Sequence, residues 1–84
     1  MTKRAKRIKK FIKTALKNNR IGYGDGVIQM FTTPNTVGDV METIYDDGEI
    51  LIDFAPGYNY IEIFGLTDEE YEYVKGEVGD ILSA

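Results

Sequence analysis

The sequence predicts an α+β fold in two layers, with an antiparallel sheet of three or four strands flanked by a basic N-terminal helix and an acidic C-terminal helix. Three observations lead there. Apolar residues recur at helical spacing near the start of the chain. β-branched and aromatic runs separated by turn residues fill positions 26–64. A full helix-start signal occupies positions 66–71. The 84 residues make one small domain, 1–84, with a limited core.

Ala5, Ile8, Phe11, Ile12, Ala15 and Leu16 share one helical face at about 100° per residue. Lys6, Lys9, Lys10, Lys13 and Lys17 fall on the opposite arc, flanked by Lys3 and Arg7. Nothing in residues 2–17 breaks a helix, and Asn18-Asn19 reads as its stop because Asn tolerates the left-handed cap. Three roles are open to this head. It can pack on a core with its lysines solvated, grip phosphates through them, or lie as an amphipathic helix on a membrane surface or a partner. Core packing is the first reading, because the chain has little else with which to cover a sheet.

Ile21-Gly22-Tyr23-Gly24-Asp25-Gly26 reads as a helix-to-strand connector with positive-φ positions. It is not a phosphate loop, which needs four residues between its glycines followed by Lys and Ser/Thr. Four strands are then expected: 26–33, 37 or 39 to 45, 49–55 and 58–64. Pro34-Asn35 and Pro56-Gly57 punctuate them, and a type I′ hairpin forms at Asp46-Asp47-Gly48-Glu49. That hairpin pairs Tyr45 with Ile50, Thr43 with Ile52 and Met41 with Phe54. Side-chain alternation then puts these six, with Ile61 and Ile63, on the core face. The opposite face carries Val40, Glu42, Ile44, Asp46, Glu49, Leu51, Asp53, Tyr58, Tyr60, Glu62 and Phe64. A wholly solvated face rarely gathers so many large apolar groups. The acids at 46–49 do not make a calcium loop, which spaces its ligands at alternate positions over about 12 residues.

Leu66-Thr67-Asp68-Glu69-Glu70-Tyr71 starts the last helix. Thr67 is the N-cap, Glu70 at N3 completes a capping box, and Leu66 with Tyr71 forms a hydrophobic staple. Asp68 and Glu69 suit the helix dipole. Tyr71, Val74, Val78, Ile81 and Leu82 give the apolar stripe, while Glu69, Glu72, Glu77 and Asp80 face outward. Gly76 and Gly79 weaken the helix or end it early.

Residue types restrict the chemistry. The chain has no His, Cys or Trp, and its only Ser is Ser83. Ser-His and Cys-His nucleophile pairs and His-ligated zinc are therefore out of reach. The expectation is a protein that is not an enzyme and takes no cofactor and no metal. No apolar run approaches the roughly 20 residues of a membrane span or the 7–15 of a signal peptide. A soluble, cytoplasmic protein with no membrane contact is expected. Charge is divided along the chain. Residues 3–20 carry nine Lys or Arg and no acid, whereas the remainder carries fourteen acids and one base, Lys75.

In layout and charge the chain resembles the small acidic proteins of phages and other mobile elements, including anti-CRISPR inhibitors. The stretch Ile61-Glu62-Ile63-Phe64-Gly65-Leu66-Thr67-Asp68-Glu69-Glu70 is similar to segments of small phage proteins. The resemblance implies a phage-encoded DNA mimic in a bacterial host, presenting carboxylates where a CRISPR nuclease expects DNA phosphates. From the residues, the expected function is that of a non-catalytic binding or inhibitor protein. Its apolar anchors are Tyr58, Tyr60 and Phe64. Glu42, Asp46, Glu49, Asp53 and Glu62 would meet a basic site on a nucleic-acid-handling protein. Two alternatives stand beside it. One is a nucleic-acid-binding module using Lys6, Lys9, Lys10, Lys13 and Lys17. The other is self-association of the basic helix with an acidic face, as in a homodimer.

Overall fold

The structure is a computed structural model that describes residues 1–15, 20–54, 57 and 59–79. The expectations at Leu16, Lys17, Asn18-Asn19, Pro56, Tyr58, Asp80, Ile81 and Leu82, and for the Ala15 side chain, fall outside it. The elements run α1 (Lys3–Ala15), β1 (Ile21–Gly24), β2 (Val27–Phe31), α2 (Pro34–Asp46), β3 (Leu51–Phe54), β4 (Tyr60–Phe64) and α3 (Asp68–Val78). The four strands form one antiparallel sheet in the order β1-β2-β4-β3. The expected two-layer α+β class is observed.

Strand register builds the core. Ile21, Met30, Ile61 and Phe54 are successive cross-strand partners, and so are Tyr23, Ile28, Ile63 and Ile52. These two rows point to one side because side chains alternate along each strand. They meet Ala5, Ile8, Phe11 and Ile12 of α1, Val40 of α2, and Val74 and Val78 of α3 in a single cluster with Ile50. Full burial of each large aliphatic side chain there contributes about 1.5–3 kcal/mol. α1 packs along α3 and also touches α2. The lysine-rich head is thus the core-covering helix. α3 starts as expected, with Thr67 Oγ1 accepting from the Glu70 N–H at 3.1 Å and Glu70 Oε1 from the Thr67 N–H at 3.0 Å. It ends at Gly79, whose φ of 63° lies in the left-handed region that favours glycine.

The expected strand at 37–45 is a correction: those residues are helix α2. Pro34 sits in the first turn. Before it, the Thr33 N–H donates to Thr36 Oγ1 at 2.9 Å. Val40 is buried and Ile44 is packed on the core, as a helical period requires. Met41 is 53% exposed and Tyr45 is 89% exposed, so neither belongs to the core face. The pairs Tyr45–Ile50, Thr43–Ile52 and Met41–Phe54 do not form, since Ile52 and Phe54 pair with Ile63 and Ile61. Nor is there a β-hairpin at 46–49. Asp47 caps α2 by donating its N–H to Thr43 O at 2.9 Å, and Gly48 has no positive φ.

The Asp-Gly turn rule operates earlier in the chain. Asp25 and Gly26 have φ values of 54° and 76°, and they join β1 to β2 with Gly24 opposite Val27. The expected connector at 21–26 is therefore the edge strand and its turn.

Truncating Ile61→Ala should lower unfolding free energy by about 2–5 kcal/mol, whereas Met41→Ala should stay within about 0.5 kcal/mol of wild type. Urea midpoints measure both. A loss at Met41 equal to that at Ile61 would return residues 37–45 to the core as a strand.

Candidate functional site

All three helices contribute to the cluster on one side of the sheet, which leaves the other side open. The open face follows from the same alternation. Gly22, Gln29, Glu62 and Asp53 form a row across the four strands. Phe31 and Tyr60 pair at one end of this row, and Leu51 and Phe64 pair at the other. Phe31 is 53% exposed, Leu51 40% and Phe64 39%. The Phe31 and Tyr60 rings lie 6.2 Å apart, and the Arg20 guanidinium stands 6.0 Å from the Phe31 ring centre. A shallow cavity of about 190 Å³ opens beside them, bordered by Arg20, Gly22, Gln29 and Phe31. At the other end Leu51 folds over Gly65. A Cβ there would come within 2.7 Å of Leu51 Cδ1, and the φ of 75° also favours glycine.

Asp53 and Glu62 are the electrostatic feature of this face. They are direct cross-strand partners, and like charges in that position repel. Neither has a Lys or Arg nitrogen within 4 Å among the described residues. Two unneutralised carboxylates thus sit side by side between apolar pairs.

The expected site is divided by the correction at α2. Asp53, Tyr60, Glu62 and Phe64 share the open sheet face. Glu42 and Asp46 lie on α2 in the helical layer, exposed beside Met41 and Tyr45. Glu49 is occupied by an ion pair with Arg7. Tyr58 lies outside the described residues. Lys6, Lys9, Lys10 and Lys13 occupy the outer side of α1, where Lys9 pairs with Glu77 at 3.0 Å, while Lys17 lies outside the described residues. Phe31 and Gln29 were missing from the expected surface. Their signal was the inward Ile28 and Met30, which turn positions 29 and 31 outward by simple alternation.

Glu70 is the one buried charged side chain among the described residues, and its partners explain it. It accepts two hydrogen bonds from the Arg4 guanidinium, one from Thr2 Oγ1 at 2.5 Å and one from the Thr67 N–H. The Arg4 contacts, then Thr2 and the Thr67 amide, hold its carboxyl at about 2, against the usual 4.5, despite burial that works the other way. Arg4 is raised in turn by the same carboxylate. This network clasps the start of α1 to the start of α3. Among the described residues no three acids gather closely enough to hold a metal ion. No helix among them is long and apolar enough to cross a membrane.

Comparison with protein-family models, with curated proteins and with solved structures finds no match to the chain.

Because the Glu70 carboxyl is held below its unfolded value, its contribution to stability is complete above pH 4.5 and is lost as pH falls toward about 2. Glu70→Gln should cost about 1.5–3 kcal/mol at neutral pH, since it weakens the charge-assisted hydrogen bonds from Arg4. It should also flatten the fall in stability across that acid window. Thermal melts of both proteins between those two pH values measure the slope, and equal slopes would remove Glu70 as the acid-sensitive group.

Proposed function

We propose that the chain is a non-catalytic binding protein that docks its open sheet face onto a basic surface of another protein. The observation that carries this reading is the cross-strand pair Asp53 and Glu62, without a Lys or Arg partner among the described residues and bracketed by Leu51–Phe64 and Phe31–Tyr60. Like charges held side by side cost stability in the free protein, and cationic side chains of a partner relieve that cost. The flanking rings supply apolar anchors, and the carboxylates supply steering and register.

The partner class that fits is a nucleic-acid-handling protein, whose basic site is built to receive phosphates. A CRISPR effector nuclease in the cytoplasm of a bacterial host is the case that the resemblance to phage inhibitors implies. The acidic docking surface is narrower than the sequence suggested. Asp53, Tyr60, Glu62 and Phe64 belong to it with Leu51 and Phe31, whereas Glu42, Asp46 and Glu49 do not. The rival reading, nucleic acid on Lys6, Lys9, Lys10 and Lys13, would lay phosphates beside Glu77 on α3 and beside Asp39, Glu42 and Asp46 on α2.

Capture from host lysate on wild type and on an Asp53→Lys/Glu62→Lys double variant tests the reading, at about 50 and about 500 mM NaCl. A nucleic-acid-handling protein should be held by wild type at low salt and released at high salt, and the double variant should not hold it. Phe64→Ala should weaken capture, and Glu72→Lys on the exposed side of α3 should leave it unchanged. Identical captured proteins on wild type and the double variant would overturn the proposal.

A further inference from the structure

The helical layer carries a second surface with its own charge pattern. A groove of about 410 Å³ runs between α1 and α2. Lys10 and Thr14 line the α1 wall, Asp39, Glu42 and Asp46 line the α2 wall, and Phe11 lies between. Arg7 and Asp47 also line the groove, and they pair with each other. Among the described residues, Lys6, Lys10 and Lys13 have no carboxylate within 4 Å, and Asp39, Glu42 and Asp46 have no Lys or Arg nitrogen within that distance. Beyond the acidic row α2 exposes Met41 and Tyr45. Beyond the basic row a second concavity of about 440 Å³ is walled by lysines and Tyr73.

A basic row beside an acidic row is self-complementary under a two-fold axis that runs between them. We propose that two copies of the chain form a dimer through this face, the lysine row of each seating on the carboxylate row of the other. The same rotation carries Met41 and Tyr45 of one copy toward the lysine stems and Tyr73 of its partner, where aliphatic stems and cation–ring contacts receive them. Each helix has 13 residues and is therefore about 20 Å long, enough to frame an interface of ordinary size. A second copy fits better than a nucleic acid because α2 has no Lys or Arg, and its acids would repel a phosphate chain lying along α1. The dimer leaves the open sheet face in the other layer free, so it stands or falls independently of the docking proposed there.

Analytical ultracentrifugation of the full chain at about 50 and about 500 mM NaCl tests this. At low salt the mass should be twice the 9.5 kDa of the chain, and it should shift toward the single chain at high salt. Lys10→Glu/Lys13→Glu and Glu42→Lys/Asp46→Lys should each weaken dimerisation by about 100-fold or more, through facing like charges. An equimolar mixture of the two variants should restore a two-chain species, because the reversed rows match again. All four positions are exposed, so each variant should keep the wild-type far-UV circular dichroism. A single-chain mass at low salt, a dimer that survives both reversals, or no recovery on mixing would overturn the proposal. So would a low-salt complex of duplex DNA with one chain, lost on reversing the lysines.

Discussion

The supply of apolar side chains is the constraint from which the architecture follows. A four-stranded sheet has two faces to cover. The buried helical side chains, Ala5, Ile8, Phe11 and Ile12, Val40, Val74 and Val78, all go to one of them. α1 supplies four of the seven and lies against both other helices, so removing its stripe would uncover the sheet and unseat α2 and α3 together. With the helices committed to that side, the second sheet face stays open, and what it displays is set by alternation from the buried rows. A small domain with so limited a core cannot cover both faces. The exposure of Phe31, Leu51 and Phe64 is a direct result.

How far the sequence alone revealed this depends on whether one period or two fit a segment. α1 and α3 were legible because each showed only the helical period, and Thr67 and Glu70 are both spaced and bonded as a capping box. The inward Ile61 and Ile63 and the outward Tyr60, Glu62 and Phe64 were legible from alternation. Residues 37–45 satisfied two patterns at once. Met41, Thr43 and Tyr45 alternate, whereas Val37, Val40 and Ile44 recur at helical spacing, and β-branched content favours a strand. The deciding signal was Thr33-Pro34, a cap-type residue followed by a proline that suits a first helical turn. Pro34 both ends the preceding strand pattern and opens α2. Two Asp-Gly pairs exist, and only the one at 25–26 has positive φ at both residues. Glu42 and Asp46 accordingly lie in the helical layer and not on the sheet.

The basic head divides its labour by residue type. Its arginines hold the fold. Arg4 grips Glu70 with two nitrogens, and Arg7 reaches across to Asp47 and Glu49. Arg7 Nε lies 2.6 Å from Asp47 Oδ2 as an ion pair, although its N–H makes no hydrogen bond there. The planar guanidinium fork suits such fixed, multi-point contacts. Among the described residues, its lysines other than Lys9 are flexible point charges with no carboxylate within 4 Å. Charge offset alone would not require that separation. A helix whose positive charge served only to balance the acidic body would pair its lysines with the many carboxylates nearby, and among the described residues only Lys9 does so, with Glu77.

The sheet and helix layers therefore present different chemistry to different sides of a molecule only 22 Å thick along its shortest axis. The sheet face sets Asp53 and Glu62, without a cationic partner among the described residues, between apolar pairs. The helical face sets a basic row beside an acidic row. Contacts on one do not compete for the residues of the other, because the core row of Ile28, Met30, Ile61 and Ile63 lies between them. If the helical faces of two copies close on each other, their sheet faces point outward in opposite directions. If each sheet face docks as proposed, the assembly then has two equivalent docking faces. Two such faces raise the effective affinity for any partner that offers two basic sites within reach, without a new contact at either one. Sign alternation on one layer and unneutralised acid on the other are thus the two arrangements that would let so small a chain be bivalent.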